Sequence, residues 1–308
     1  GRDGGRGESD EGVGENREMQ THSSAVVAVQ ATRALGELVD REYVTLAEFE
    51  RDLEHNAGVL RRANPSHASL HRAMRDVVDR VVDEAASTAE ARELLASVVS
   101  DVAERIEAGK RQAAATAAET FEDGETVFTH DYSSTVLEAI ETAVAEGAHL
   151  TVYVSEARPR HLGRKAARQL AGMDPVDVHL LVDAAAGHVL DECDRVVLGM
   201  DCVVGDSYYN RVGTFPVAAA ADNRGVTVDV VGSGTKVVAD GFRFENEFRP
   251  PSEVMREPVE DITIENPAYE ATPVSLVDRL LTDEGVRDPN VDSEVATTTR
   301  DGQGVDGE

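Results

Sequence analysis

A chain of 308 residues with 41% hydrophobic composition is long enough to bury a sizeable core, which excludes a disordered polypeptide and leaves room for two domains. Its 59 acidic residues against 30 basic ones give a formal net charge of −29, which argues against nonspecific attachment to nucleic acid. No apolar run approaches the roughly 20 residues of a membrane-spanning helix, and no charged-then-apolar leader opens the sequence, so a cytoplasmic protein without membrane contact is expected.

Only Lys110, Lys165 and Lys236 are lysines. A lysine-poor, arginine-retaining acidic surface fits a halophile, because carboxylates stay hydrated and concentrated salt screens their repulsion. Cys193 and Cys202 form neither a metal-ligand spacing nor a disulfide framework. Neither a metal nor a cofactor is expected.

Residues 1–19 are Gly- and charge-rich and are expected to be a disordered tail, as are residues 288–308. From 20 to 121 the apolar spacing is helical throughout. "SSAVVAVQATRALGELV" carries Val26, Val29, Leu35 and Leu38 on one face. "TLAEFERDLEHNAGVLRRA" opens at Thr45 with Glu48 three residues on, and "SHASLHRAMRDVVDRVVDEA" is capped by Ser66 after Pro65. "TAEARELLASVVSDVAERIEAGKRQAAATAAETF" completes a set of about four helices, a helical N-terminal domain.

From 122 to 287 the pattern alternates. "TVFTH", "LTVYVS", "VDVHLLVD", "RVVLGMD" and "VTVDVVG" read as strands, with helical runs between them. Strand–helix alternation with continuous apolar strands predicts a Rossmann-like, doubly wound α/β domain around a parallel sheet.

Ligands of such sheets bind beyond the carboxyl ends of the strands. The residues following those ends include Asp131, Ser133, Ser134, Glu156, Arg158, Arg160, Asp183, Asp201, Asn210, Arg211 and Lys236. Acids, hydroxyls and scarce cations at one edge suit an anionic, hydroxyl-rich molecule such as a sugar phosphate, and Ser133 and Ser134 open a helix whose free amides suit an anion. Helix caps and surface ion pairs are the plainer account of the same residues. Asp201 ends an apolar strand and is expected to be partly buried, either shuttling a proton or holding sugar hydroxyls, or merely capping its turn. The residues between it and the helix beginning near Gly213 read as a polar turn.

"GMDCVVGDSYYNRVGTFPVAAAADNRGV", "THDYSSTVLEAI", "VYVSEARPRHLGRKAARQL", "IENPAYEATPVSLVDRLLTDEGV" and "LRRANPSHASLHRAM" resemble, in order, segments of one family. It comprises the alpha, beta and delta regulatory subunits of translation initiation factor 2B, methylthioribose-1-phosphate isomerase and ribose-1,5-bisphosphate isomerase. The resemblance implies a helical domain on a Rossmann-like domain, and a homo-oligomer that dimerises through the latter. In the isomerases a cysteine and an aspartate move protons; the aspartate matches Asp201, but Asp131 stands where the cysteine is expected. The glycine-rich N-terminal phosphate loop of the isomerases is also replaced.

The missing thiol favours a regulatory-subunit-like, non-catalytic protein. It is expected to bind a phosphorylated small molecule, sugar phosphate or nucleotide, through Ser133, Ser134, Glu156, Arg158, Asn210, Arg211 and Lys236, with a translation factor as possible partner. The alternative is an aldose–ketose isomerase acting on ribose 1,5-bisphosphate or a related sugar 1-phosphate, with Asp201 and Asp131 as an acid and base whose pKa values are pushed apart.

Overall fold

The computed structural model describes residues 24–238, 242–257 and 259–289. The expected tails, apart from Asp288 and Pro289, lie outside them. Contacts divide the chain into two compact units. One runs up to Ala63 and resumes over Ser69–Glu104; the other takes Asn64–Ala68 and everything from Arg105 onward.

Among the described residues of the N-terminal region there are four α-helices: α1 (Ser24–Gly36), α2 (Leu46–Ala63), α3 (Ala68–Glu84) and α4 (Thr88–Ala118). Thr45 caps α2 as its sequence suggests, its hydroxyl accepting the Glu48 amide at 3.2 Å. In the first unit Phe49, Leu53, Leu70, Met74, Val77, Val81, Leu95 and Val98 are all fully buried. Their three- and four-residue spacing puts each set on one helix face. Val26 departs from expectation and stays exposed.

The second unit is built on a seven-stranded sheet in the order β11-β10-β7-β4-β1-β2-β3. Its strands are β1 (Thr126–His130), β2 (Leu150–Ser155), β3 (Val176–Leu181), β4 (Arg195–Gly199), β7 (Thr227–Val231), β10 (Arg279–Thr282) and β11 (Gly285–Arg287). All neighbours pair in parallel except β10 and β11. Adjacent side chains point to opposite faces, so Val127, Val152, Val197 and Val231 pack against α5 (Ser134–Ala145) and α6 (Leu162–Leu170). Phe128, Val196, Leu198 and Val230 face α7 (Ala186–Val189) and α8 (Thr214–Arg224) instead. This is an α/β architecture whose mostly parallel sheet is covered on both faces, as the alternation predicts.

A second sheet, which the sequence reading missed, joins β8 (Val237–Val238), β5 (Cys202–Val204), β6 (Ser207–Arg211) and β9 (Tyr269–Pro273). The stretch read as a polar turn is therefore a β5–β6 hairpin, with Cys202 opposite Tyr209 and Val204 opposite Ser207. Gly205, at φ +54, lies in its turn, a conformation few side chains adopt. Both tyrosines of the hairpin do structural work. Tyr208 is fully buried and its hydroxyl donates to the Gly199 carbonyl, while Tyr209 stacks on Phe244 with centroids 4.2 Å apart.

Candidate functional site

The chain lays down β1, β2 and β3 in one direction, then returns to place β4 on the other side of β1. That reversal opens a crevice at the carboxyl ends of β1 and β4, the usual ligand position in such sheets. Asp131 follows β1 and Asp201 follows β4. Topology thus brings Asp131 and Asp201, which lie on different strand ends, to one crevice.

His130, the last residue of β1, ties the surrounding loops together. Its imidazole nitrogens sit 2.5 Å from the Ser155 hydroxyl and 2.7 Å from the Val212 carbonyl. Gly213 lies against that ring at φ +105, and a Cβ there would stand 2.5 Å from it, so only glycine fits. Asp131 adopts φ 63 and accepts the Tyr132 amide at 2.8 Å through Oδ1. Burial raises its pKa above the ordinary carboxylate value; Arg211, His130 and the Tyr132 amide oppose the rise, and Asp201 adds to it.

Arg211 pairs with Asp201 and shares the pocket lining with Asp131. Its Nε lies 3.8 Å from Asp201 Oδ2, and its guanidinium stacks over the Tyr269 ring at 4.5 Å. Burial opposes its charge, but Tyr269, Asp201, Asp131 and Glu247 together hold its pKa above the usual value. Lys236 is buried, donates to the Met200 carbonyl at 2.5 Å and has its pKa lowered by burial, with Asp201 acting in the other direction.

The loop after β2 is built to a definite shape. Asp183 accepts the amides of Ala157 and Arg158, both at 2.7 Å, and the His161 amide returns to the Ala157 carbonyl at 2.7 Å. Gly163 admits no side chain at all, since a Cβ would lie 1.8 Å from the Ser155 carbonyl oxygen. This loop forms one wall of a pocket with about 330 Å³ of empty space, part of it open to solvent. Arg158, Arg160, Arg211 and Arg249 line it together with Asp131 and Asn266.

The expected site residues therefore separate. Asp131, Arg158 and Arg211 line the pocket, and Asp201 lies 3.8 Å from Arg211. Ser133 caps α5 by accepting the Val136 amide at 3.3 Å, and Ser134 is that helix's first residue. Glu156 pairs with Arg164 and lies 3.3 Å from His161. Asn210 donates to the Thr214 hydroxyl at 3.0 Å. Ser66, read as a helix cap, gives its hydroxyl to Glu247 at 2.6 Å. Arg249 and Asn266 were missed because they lie in irregular chain far from any predicted strand end. The scarcity of cations was the one signal that could have drawn attention to Arg249.

Among the described residues, no group of His, Cys, Asp and Glu is arranged to hold a metal ion, and no helix is long and apolar enough to cross a membrane. Cys193 and Cys202 are buried, free thiols; burial pushes Cys193 up to about 12 and Cys202 higher still. Neither supplies the absent thiolate.

The Initiation factor 2 subunit family matches residues 20–289. The chain belongs to that family. A ribose 1,5-bisphosphate isomerase of Haloterrigena turkmenica is 32% identical, covering 87% of this chain and 86% of its own. One from Haloferax volcanii is 31% identical, covering 87% and 84%. Among solved structures, a Pyrococcus horikoshii translation initiation factor eIF-2B superposes with a TM-score of 0.76 at 24% identity, covering 90% of this chain and 96% of its own. The shared fold is the one described above. Six curated relatives, 27–32% identical, carry the isomerase name. They overturn the non-catalytic, regulatory reading. That reading gave decisive weight to one missing thiol, although Asp131 keeps a titratable group at the same strand end.

Proposed function

We propose that this chain is an aldose–ketose isomerase acting on ribose 1,5-bisphosphate or a related sugar 1-phosphate. The observation that carries the reading is the pocket itself: four arginines and one buried carboxyl line it, with a second carboxylate 3.8 Å from Arg211. In a chain of net charge −29, four arginines in one pocket mark an anionic ligand.

Conversion of the cyclic aldose phosphate to the open ketose is redox-neutral. The bond from C1 to the ring oxygen breaks; one proton leaves C2 and one arrives at C1, and another passes from the C2 hydroxyl to the freed ring oxygen. Asp131, kept toward its protonated form by burial, is the acid that protonates the ring oxygen. Asp201, beside Arg211, is the base that takes the C2 proton. Arg211 neutralises charge that develops on the intermediate between them.

The ligand is a phosphorylated small molecule, and the compartment in which it is met is the cytoplasm. The protein works as a homo-oligomer, a dimer through the C-terminal domain. Leu180 in the edge strand β3 and Val182 just beyond it, 51% and 57% exposed, support self-association there. Phosphorus NMR of ribose 1,5-bisphosphate incubated with the protein tests the activity. New ketose-bisphosphate resonances, lost in Asp201→Asn, are expected; an unchanged substrate spectrum would refute the reading.

A further inference from the structure

The isomerisation leaves one proton without a carrier. Asp131 gives a proton to the ring oxygen and Asp201 takes the one on C2, but the C2 hydroxyl must also lose its proton for the ketone to form. A titratable group that those steps do not use, His67, is held at the Asp201 end of the site. It belongs to the Asn64–Ala68 stretch, part of the same compact unit as the sheet. That stretch is tied down on both sides of the histidine. Ser66 and Ala68 are each 1% exposed, and the His67 amide donates to the Asn64 carbonyl at 3.2 Å. The Ser66 hydroxyl donates to Glu247 at 2.6 Å and is hydrogen-bonded to Tyr269 as well. Tyr269 in turn carries the Arg211 guanidinium over its ring at 4.5 Å, and Arg211 Nε lies 3.8 Å from Asp201.

The backbone and the neighbouring hydroxyl do this anchoring, and the imidazole does not. Its Nδ1 is covered from solvent and, among the described residues, has no hydrogen-bond partner. A buried polar atom left unpaired is costly, so a fold retains one where a ligand or a reaction uses it. The charges that face the ring are those of the site. Burial holds its pKa below the ordinary histidine value; Asp201 and Glu247 act to raise it, and Arg211 and Lys236 to lower it. The resting imidazole is therefore neutral and able to accept a proton at neutral pH, and the two carboxylates stabilise the imidazolium that results.

We propose that His67 is a further catalytic residue, the base that takes the C2-hydroxyl proton as the enol intermediate becomes the ketone. The O–H bond breaks and its electron pair forms the C2 carbonyl. The electrons of the C1–C2 double bond take up the proton arriving at C1. His67 then returns its proton to water, and Asp131 recovers from water the one it gave to the ring oxygen, so nothing is oxidised or reduced. This assignment rests on the isomerase reading.

Turnover of ribose 1,5-bisphosphate is measured for the full chain, for His67→Gln, which keeps a hydrogen-bonding side chain but cannot hold the proton, and for His67→Ala. Thermal melts and calorimetric titrations with ribitol 1,5-bisphosphate, which cannot react, accompany the rates. Both variants should lose about 10²- to 10⁴-fold in kcat. Both should bind the ribitol probe within about threefold of wild type, because the loss lies in the chemical step. Added imidazole should restore turnover to His67→Ala and not to His67→Gln, a rescue that a merely structural histidine would not show. Wild-type kcat in folded His67→Gln overturns the proposal and leaves the isomerase reading standing. So does a rate loss in both variants matched by an equal loss of ribitol bisphosphate affinity, or a folded His67→Ala that imidazole does not rescue. If His67→Ala does not fold, the kcat of His67→Gln decides alone. A wild-type protein that leaves ribose 1,5-bisphosphate unchanged removes the isomerase reading and this role together.

Discussion

Asp131→Asn changes the chemistry of the site while sparing its shape. Asparagine tolerates φ 63 and can present its carbonyl oxygen to the Tyr132 amide, now 2.8 Å from Asp131 Oδ1. What it cannot do is give up a proton. Loss of a general acid costs about 10²- to 10⁴-fold in rate, or about 3–5 kcal/mol of barrier. The assay is initial-rate turnover of ribose 1,5-bisphosphate, with thermal melts taken alongside. Stability should move the other way. A carboxyl whose folded pKa is raised by burial contributes stability that is fully present below the unfolded value and is lost as pH rises through the raised folded value. Asp131→Asn should therefore melt progressively higher than wild type as pH rises above the ordinary carboxylate range, and the difference should close in acid. Turnover within threefold of wild type would refute the role of Asp131 as acid. A melting difference independent of pH would refute the buried-carboxyl account.

Gly163→Ala forces a Cβ into the Ser155 carbonyl, a backbone atom that cannot step aside, and should cost about 3 kcal/mol or more in denaturant melts. Asp183→Ala strips the acceptor from two loop amides; KM for the bisphosphate should rise about tenfold or more, with a smaller effect on kcat, because the loop carrying Arg158 and Arg160 loses its support. Asp229→Ala removes the fully buried partner of Arg195 (2.7 Å) and Arg279 (2.6 Å) at the opposite end of the sheet. A loss of about 3–5 kcal/mol in urea unfolding is expected, with kcat of the remaining folded protein unchanged.

The sequence made the scaffold legible because period carries over distance. Thirteen to thirty-one residues of helical spacing in α1 to α4, and five- or six-residue apolar runs in β1, β2, β4 and β7, repeat their signal often enough to be read. Strands of two and three residues, such as β8 and β5, contain no full period, and what makes them strands is the partner across the ladder. The β5–β6 hairpin was accordingly read as a turn. Cys202 illustrates the same point from the other side: sequence placed it beside Asp201, and the pleat buried it completely.

Function was legible through chemistry at strand ends, and only as far as those ends. Asp131, Arg158 and Asp201 lie just beyond strands of the parallel sheet, so a βαβ reading points to them, and Arg211 follows Asp201 in the stretch read as a turn. Sequence alone determined which residue stands where the family's thiol is expected, since identity at a position needs no coordinates. The tertiary structure alone decided which of the candidates share a pocket. Ser133, Glu156 and Asn210 satisfy their own helix or loop, and Arg249 and Asn266 arrive from irregular chain. Local spacing cannot report that convergence, because the contacts that create it join segments whose separation along the chain leaves no periodic trace.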